Sequence, residues 1–424
     1  MCTTLDIVFV DSGEELLHAS TRLQTDISLC IYTLTRWYTK IMLTVEENNL
    51  LKIQAVGFFS SSLVGIFTQF YVFKFLDFRG LVLYNFVQFV SLLVLYIASG
   101  YLLNKYSTKG LIKSSLLLTT LSYVLLLVFK ERALDYIIVL GIISGSAAGL
   151  YWSGYNLSQY ILTHAHSREH FFGRFMSVLN FASALAPLLG GLIVSYFGYT
   201  PLFAIVAALN LALYFMANRL PQHHGVEFSV SHLLSHVRSR RWVNSLKQNA
   251  VLGVYDTGLS MFIGVLLFVV LQDPTVVGFT RSAFYLISAI AGMFAGKIIA
   301  SHKNITILMG ILAMVGFVII GISQSTLAVI LFGILTGVSL PIIYVRYSSE
   351  ILNAIDDNDS SWKNKYEMFI ERDLALGVTR IGSLFLLLVL FTYFDKNVVA
   401  QWWMIVFSVF PLILGIMVTK NTTH

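Results

Sequence analysis

The sequence predicts an all-α polytopic membrane protein with twelve transmembrane helices in two pseudo-symmetric six-helix halves. Composition is the first observation: the 424 residues are 57% hydrophobic and 12% charged, with a mean hydropathy of +0.76, whereas soluble domains carry roughly 25% charged residues. Recurrent apolar segments of membrane-spanning length are the second observation, and an internal repeat is the third. The composition excludes a soluble globular protein, and it excludes a disordered chain, which would be polar and charge-rich.

Each predicted span is long enough to cross the hydrocarbon core, which takes about 20 mostly apolar residues as a helix. Lipid offers the backbone no hydrogen-bond partners, so a span must be a helix or a barrel strand, and these segments are too long and too uniformly apolar for strands. The predicted spans are 51–75, 81–103, 110–129, 136–161, 172–197, 201–217, 248–271, 276–300, 304–322, 326–352, 374–394 and 398–418.

Polar segments set the predicted domain boundaries. The order is an N-terminal tail (1–48), a first half (49–217), a central loop (218–247), a second half (248–418) and a C-terminal tail (419–424). A further polar stretch, 353–373, separates the tenth and eleventh spans. The N-terminal tail lacks the layout of a signal peptide. Two alternatives stay open for it: an amphipathic helix on the inner membrane surface, or a native start at Met42.

Lysine and arginine mark the inner loops of membrane proteins. If both termini lie inside, the inner segments hold most of the loop cations, namely Lys105, Lys109, Arg168, Arg174, Arg219, Arg238, Arg240, Arg241, Lys247, Lys303, Lys363, Lys365, Arg372 and Lys420. The outer loops hold little beyond Arg79, Lys130, Arg132 and Lys396. We therefore expect a cell-membrane protein with both termini in the cytoplasm. The same bias explains the net charge of +6 without a nucleic-acid partner, because no basic stripe with interleaved aromatics occurs.

Several classes of site are missing from the sequence. Cys2 and Cys30 are the only cysteines, so no disulfide framework or zinc pattern is expected. All ten histidines lie outside the predicted spans, and HAHSREH (164–170) is better explained as a solvated loop than as a metal site. There is no phosphate-binding GxxxxGK[ST] motif and no nucleophile–base arrangement. We expect no cofactor, no metal and no enzymatic activity.

An internal repeat relates the two sets of six spans. Residues 141–155 read GIISGSAAGLYWSGY and residues 333–347 read GILTGVSLPIIYVRY, a shift of 192 positions. EHFFGR (169–174) matches EMFIER (367–372) at a shift of 198. Because the shift equals six spans with their loops, we infer two similar halves, the arrangement of parallel-repeat transporters.

Two short motifs carry a resemblance to the major facilitator superfamily over residues 50–418. GYLLNKYSTKG (100–110) is similar to the superfamily's signature between spans two and three: Gly100, Lys105 and Lys109 fit, and Asn104 stands where the acidic residue usually is. APLLGG (186–191) is similar to a Gly-Pro-x-x-Gly-Gly signature common in exporters, with Ala186 in place of the first glycine. The resemblance implies helix packing at Pro187, Gly190 and Gly191.

The resemblance also implies a central cavity lined by spans one, four, seven and ten. Aromatic faces with a few polar groups in these spans suit an amphipathic organic ligand. The predicted substrate-binding residues are Gln69, Tyr151, Trp152, Asn156, Tyr255 and Tyr344. The alternative is that such aromatic residues are interfacial anchors.

Asp256 is the strongest single candidate for a functional residue, because a charge deep in a span is costly and must face protein or water. It is predicted to couple protons or bind a cationic group; the alternative is a structural partner for Arg380, at similar depth in span eleven. Arg346 and Glu350 lie four residues apart on one face of span ten. They are expected to form an inner gate with Gly100, Asn104, Lys105 and Lys109, or to be snorkelling and anchoring charges.

These observations together predict a secondary active transporter of a small organic solute that works by alternating access, leaning to proton-coupled export. Uptake of a sugar or other neutral metabolite is one alternative, and a non-transporting membrane scaffold or sensor on the same fold is another. The expected partners are the solute and membrane lipid, with protons as the candidate coupling ion, and the chain is expected to be a monomer.

Overall fold

Helices account for nearly all the residues that the structure, a computed structural model, describes: 44–162, 168–229, 239–302, 304–357 and 362–421. No strand occurs within these ranges. The α-helices are α1 Val45–Lys105, α2 Thr108–Phe129, α3 Ile137–Leu162, α4 Arg168–Phe197, α5 Tyr199–Met216, α6 Arg240–Leu271, α7 Pro274–Ser301, α8 Ile305–Ile322, α9 Thr326–Asp356, α10 Trp362–Tyr393, α11 Lys396–Phe407 and α12 Val409–Asn421. Short 3-10 helices cover Lys130–Tyr136 and Ala217–Arg219.

By length and composition, the described residues contain 10 helical segments able to cross a membrane. Two of these segments, Val45–Lys105 with 61 residues and Thr108–Leu162 with 55 residues, are each more than twice as long as one crossing requires, which is about 20 residues. The all-helical, multi-pass membrane fold is therefore confirmed. The exact count of twelve spans and the two-half arrangement stay predictions.

Each of the two long segments is interrupted near its middle. In α1, Asp77 leaves helical geometry with a φ of 61°, and its carboxylate accepts a hydrogen bond of 2.6 Å from the backbone N–H of Phe78. A side-chain acceptor at a helix start satisfies a backbone donor that has no partner in the preceding turn. In the second segment, the 3-10 helix Lys130–Tyr136 joins α2 to α3. The breaks lie where the sequence predicts loops between spans.

The helices extend further than the predicted spans at two polar stretches. The helix α6 begins at Arg240 within the predicted central loop (218–247), and Ser239 caps it by accepting from the N–H of Trp242. The helix α10 begins at Trp362 within the predicted polar stretch 353–373. The added turns carry charged residues that have partners on α9: Arg241 pairs with Glu350, and Lys365 lies 4.0 Å from Asp356. The domain boundaries stay a prediction.

The internal repeat reappears as equivalent helix contacts. A Cβ on Gly145 of α3 would lie 2.1 Å from the carbonyl oxygen of Gln88 on α1. A Cβ on Gly337, its partner in the repeat, would lie 3.0 Å from Ile287 on α7. The glycines thus let α3 approach α1 and let α9 approach α7, and close approach of this kind is typical of small residues in membrane helices. These paired contacts support the inference of two related halves.

By their contacts, the described residues from Glu46 onward belong to one compact unit. Side chains of α1–α5, the first half, pack against side chains of α6–α12, the second half, at both ends of the bundle. At the central-loop end, where α1 finishes and α6 begins, the rings of Tyr96 and Tyr366 are stacked with centroids 6.5 Å apart. At the opposite end, the rings of Phe70 and Phe268 are stacked 3.8 Å apart. The two halves therefore touch at both ends.

Candidate functional site

A cavity of about 300 Å³ lies within the first half, between α1, α2, α3 and α5, and we call it the N-terminal cavity. Tyr151 and Trp152, two predicted binding residues, line it. The hydroxyl of Tyr151 donates to the side-chain oxygen of Gln54, and the two aromatic rings meet edge-on at 5.7 Å. Serine, threonine, tyrosine, asparagine and glutamine side chains supply the polar lining, and no lining residue carries a charge.

A second cavity of about 280 Å³ lies in the second half, and we call it the C-terminal cavity. Its walls come from α6, α7 and α9, with Asn180 contributed by α4 of the first half. Two predicted residues, Asp256 and Tyr344, line it. Unlike the N-terminal cavity, it holds formal charges, because Asp256 and Arg281 both belong to its lining.

The charged pair foreseen as an alternative for Asp256 is present. The guanidinium of Arg380, on α10, donates to the carboxylate of Asp256, on α6. Both side chains are largely buried, with 18% of Arg380 and 24% of Asp256 exposed. Arg380 also lies over the ring of Phe89, on α1, at 5.0 Å. The pair therefore joins α6 to α10 and contacts the first half as well.

Arg281 was missed by the sequence reasoning. It lies on α7, seven residues after Pro274, which is roughly 10 Å along the helix at 1.5 Å per residue. Its guanidinium lies 4.7 Å above the ring of Tyr285 and donates to the hydroxyl of that residue at 3.4 Å. The rule that singled out Asp256, a charge deep within an apolar span, applies equally to Arg281 and is the signal that would have found it.

Three predicted binding residues lie outside the linings of these two cavities. Tyr255 is buried, with 2% of its surface exposed. The side-chain amide of Asn156 donates to the hydroxyl of Tyr96 at 3.2 Å. Gln69 exchanges hydrogen bonds with Asn85, which lies on the same long helix α1. Binding of a solute by these three residues stays a prediction.

The predicted gate residues of α9 meet a partner that the sequence did not indicate. Glu350 lies 3.4 Å from the guanidinium of Arg241, in the first turn of α6. The same guanidinium donates to Asp357 at 2.7 Å. Arg346 is buried one turn before Glu350, with 9% of its surface exposed. The central-loop ends of α6 and α9 are thus tied together by charge.

The glycine-and-lysine motif at 100–110 contacts the first half and the beginning of the predicted central loop. A Cβ on Gly100 would lie 2.4 Å from the ring of Phe228. The ammonium of Lys109 donates to the backbone oxygen of Asn218 at 3.2 Å. Lys105 and Asn104 are exposed, and the ammonium of Lys105 lies 5.6 Å from the ring centre of the neighbouring Tyr106. Gating by these four motif residues stays a prediction.

Two backbone hydrogen bonds add to the contact between this motif and the central loop. The N–H of Gly225 donates to the oxygen of Leu103 at 3.2 Å, and the N–H of Thr108 donates to the oxygen of His223 at 3.1 Å. Because half-burial disfavours the charged imidazolium, the pKa of His223 is lowered from its ordinary value. The first residues of the central loop are therefore fastened to the motif.

The APLLGG segment lies at a close contact between the halves. A Cβ on Gly191 would lie 2.4 Å from the oxygen of Pro274 on α7, and a Cβ on Gly190 would lie 2.3 Å from the oxygen of Leu63 on α1. On the facing helix, a Cβ on Gly278 would lie 2.3 Å from the oxygen of Pro187. The segment leaves no room for side chains where α4 meets α1 and α7.

Further polar contacts between the halves lie at the central-loop end and were not predicted. The hydroxyls of Ser153, on α3, and Tyr366, on α10, are 2.5 Å apart. The hydroxyl of Tyr160 donates to Asp356 at 2.9 Å. Both contacts join α3 of the first half to helices of the second half. They help to close this end of the bundle.

No group of three or more histidine, cysteine, aspartate or glutamate side chains suited to a metal occurs among the described residues. The histidine-rich stretch at 164–170, Met42 and the N-terminal tail to residue 43 lie outside the side chains that the structure describes. The same applies to the side chains of Arg168, Arg174, Arg238, Lys303 and Lys363.

The chain is similar in sequence to known proteins. A sequence model of the Major Facilitator Superfamily matches residues 51–351. An uncharacterized protein of Bacillus subtilis (strain 168), YqgE, is 22% identical over 336 residues, which cover 77% of this chain and 77% of that protein. An uncharacterized protein in the sodM 3' region of Geobacillus stearothermophilus is 29% identical over 172 residues, which cover 39% of this chain and 80% of that protein.

Proposed function

The chain belongs to the Major Facilitator Superfamily, and from this membership we propose that it is a proton-coupled transporter that exports a small organic solute by alternating access. Membership makes it a multi-pass membrane protein and a secondary transporter in general terms. The coupling ion, the direction and the alternating-access mechanism are the proposal. The cell membrane as its location, the cytoplasmic position of both termini and a monomeric state belong to the same proposal.

The observation that carries the proposal is the Asp256–Arg380 pair beside the C-terminal cavity. Ionisable groups inside membrane spans are costly and commonly mark proton or ion pathways. Protonation of Asp256 would neutralise its carboxylate and remove the counter-charge of Arg380. Because Asp256 faces a cavity and Arg380 contacts α1, a change in this pair would alter both the cavity and the contact between the halves.

The support for export is the APLLGG segment, whose glycines and proline allow α4 to pack against α1 and α7 without intervening side chains. Pro187 lies inside α4 at this contact, and the hydroxyl of Ser282, on α7, accepts a hydrogen bond of 3.0 Å from the N–H of Leu188. Rigid packing here would let α4 and α7 act as the axis about which the halves rock.

Reconstitution into proteoliposomes tests the proposal. A pH-sensitive dye inside the vesicles would report proton movement when small organic acids, amines or sugars are added on one side. Wild type is expected to show solute-dependent proton flux, and Asp256→Asn is expected to abolish it. The matched control is Asp135→Asn, because Asp135 is an exposed carboxylate in the 3-10 helix Lys130–Tyr136. Coupled flux that persists in Asp256→Asn would reject the coupling role.

A second candidate function, movement of a neutral solute such as a sugar, is favoured by the N-terminal cavity. Its polar lining is uncharged, and Tyr151 and Trp152 offer aromatic faces. Sugar flux without proton flux in the same vesicles would select this function. The absence of flux for every solute class would favour the non-transporting scaffold.

A further inference from the structure

The formal charges in and beside the C-terminal cavity do not sum to zero. Asp256 is matched by Arg380. No carboxylate of the described residues lies within 4.0 Å of the Arg281 guanidinium. The cavity and its charged pair thus hold two guanidinium groups and one carboxylate, a balance of one positive charge.

Arg281 has unused hydrogen-bonding capacity. A guanidinium has five N–H donors in a planar fork. Within the described residues, the hydroxyl of Tyr285 is the acceptor found for Arg281, at 3.4 Å. Arg281 is half-buried, and because arginine remains charged in proteins, it keeps its positive charge at the cavity wall. An anion in the cavity would supply both the missing charge and the missing acceptors.

The remaining lining indicates what kind of anion fits. Apolar side chains of Ile263, Phe284, Phe332 and Leu340 make up much of the wall, and Asn180, Ser288 and Thr336 add uncharged polar groups. Arginine recognises carboxylates with two parallel hydrogen bonds. The volume of about 280 Å³ lies just below the usual range for organic-ligand pockets, which begins at about 300 Å³, so the solute should be small.

We propose that the C-terminal cavity binds a small organic monocarboxylate, with its carboxylate on Arg281 and its apolar body against the α6, α7 and α9 walls. This inference rests on the proposed transport function in that it names the class of solute carried. Asp256 lines the same cavity, so the bound anion and the proton-carrying carboxylate would sense each other's charge.

The test is a binding measurement on the purified full chain in lipid nanodiscs at neutral pH, with 3-phenylpropionate as the probe. Its amide and 3-phenylpropylamine are matched in size and differ in charge. Isothermal titration calorimetry is expected to show binding of the carboxylate, and binding weaker by about tenfold or more for the amide and the amine, as expected for loss of a charge-assisted pair. Equal binding of the amide, or no binding of the carboxylate, would overturn the proposal. So would binding of inorganic phosphate in preference to the carboxylate.

Variants assign the binding to Arg281. Arg281→Gln is expected to weaken carboxylate binding by about tenfold or more, and Arg281→Lys is expected to retain part of the binding. The control is Arg132→Gln, which changes an exposed arginine on the Lys130–Tyr136 helix. This control is expected to leave carboxylate binding unchanged. If Arg281→Gln does not yield folded protein, Arg281→Lys is the deciding variant. Unchanged affinity for the carboxylate and an unchanged preference for it over the amide in Arg281→Lys would contradict bidentate binding by Arg281. Flux in proteoliposomes is read separately: carboxylate binding without flux would reject the transport function and leave the binding site standing.

Discussion

The carboxylate of Asp256 and the guanidinium of Arg380 form an ion pair between α6 and α10 beside the C-terminal cavity. These two residues are 124 positions apart in the chain. A buried charge whose partner is removed is left without compensation, whereas removal of both charges leaves a neutral site. The relationship between the two residues therefore makes a prediction about single and double variants.

We predict that Arg380→Gln lowers the unfolding temperature by more than the double variant Asp256→Asn/Arg380→Gln does. The single change leaves the Asp256 carboxylate buried and unpaired, which costs on the order of 2 kcal/mol or more. The measurement is thermal unfolding of the purified protein followed by intrinsic fluorescence. Asp135→Asn serves as the control for loss of a carboxylate. If the double variant is less stable than either single variant, the charges are not coupled as the structure shows.

The glycines between α4 and α7 allow a second prediction. A Cβ at Gly191, on α4, would lie 2.4 Å from the backbone oxygen of Pro274. By contrast, nothing lies within 4 Å of a Cβ at Gly296, on α7. We expect Gly191→Ala to lower stability by about 1–3 kcal/mol, because backbone must shift to admit the methyl group. Gly296→Ala should be neutral or slightly stabilising, since alanine favours helix. Denaturant titration of both variants checks this, and equal stability of the two would contradict close packing at Gly191.

A third prediction concerns Arg241, which bridges the first turn of α6 to Glu350 and Asp357 of the α9 end. Arg241→Gln should loosen this end, so that backbone amides near the end of α9 exchange hydrogen faster. The adjacent Arg240, which is exposed, provides the control Arg240→Gln. Because the bridge is partly exposed to solvent, high salt should reproduce part of the effect in wild type. Exchange that is the same in both variants would show that the bridge contributes little.

How much of this the sequence predicts depends on whether a feature is local or long-range. The apolar segments, the repeat and the break near Asp77 are local patterns, and they predicted the helical membrane fold. The pairing of Asp256 with Arg380 followed from equal depth in two spans. The depth of a residue in its span does not indicate which helices are neighbours. The contact of Arg380 with Phe89 therefore could not be predicted from the sequence.

Other parts of the site were missed for identifiable reasons. Arg241 was assigned to a loop, because the first turns of α6 are polar, and its contact with Glu350 therefore had no place in the prediction. The Ser153–Tyr366 contact joins residues of ordinary type 213 positions apart, and no pattern in one sequence marks it. Arg281 was predictable from the sequence, since like Asp256 it is an ionisable residue within an apolar span.

The last prediction concerns Gly100, where the motif at 100–110 meets the start of the central loop. A Cβ at this position would lie 2.4 Å from the ring of Phe228, and the loop is further fastened by the bond from the Gly225 N–H to Leu103. We expect Gly100→Ala to displace the Phe228 ring and to speed hydrogen exchange at Gly225. The helix itself should not suffer, because alanine is a better helix former than glycine by about 1 kcal/mol.

Two further variants separate this steric effect from a general disturbance of the motif. In a Phe228→Ala background the ring is already gone, so the addition of Gly100→Ala should cause no further increase in exchange. Gly110→Ala is the matched control, because its Cβ would make only ordinary contact, at 3.5 Å from the hydroxyl oxygen of Ser107. Additive effects of Gly100→Ala and Phe228→Ala would mean that the glycine serves something other than the ring, since changes at groups in direct contact are expected to be non-additive.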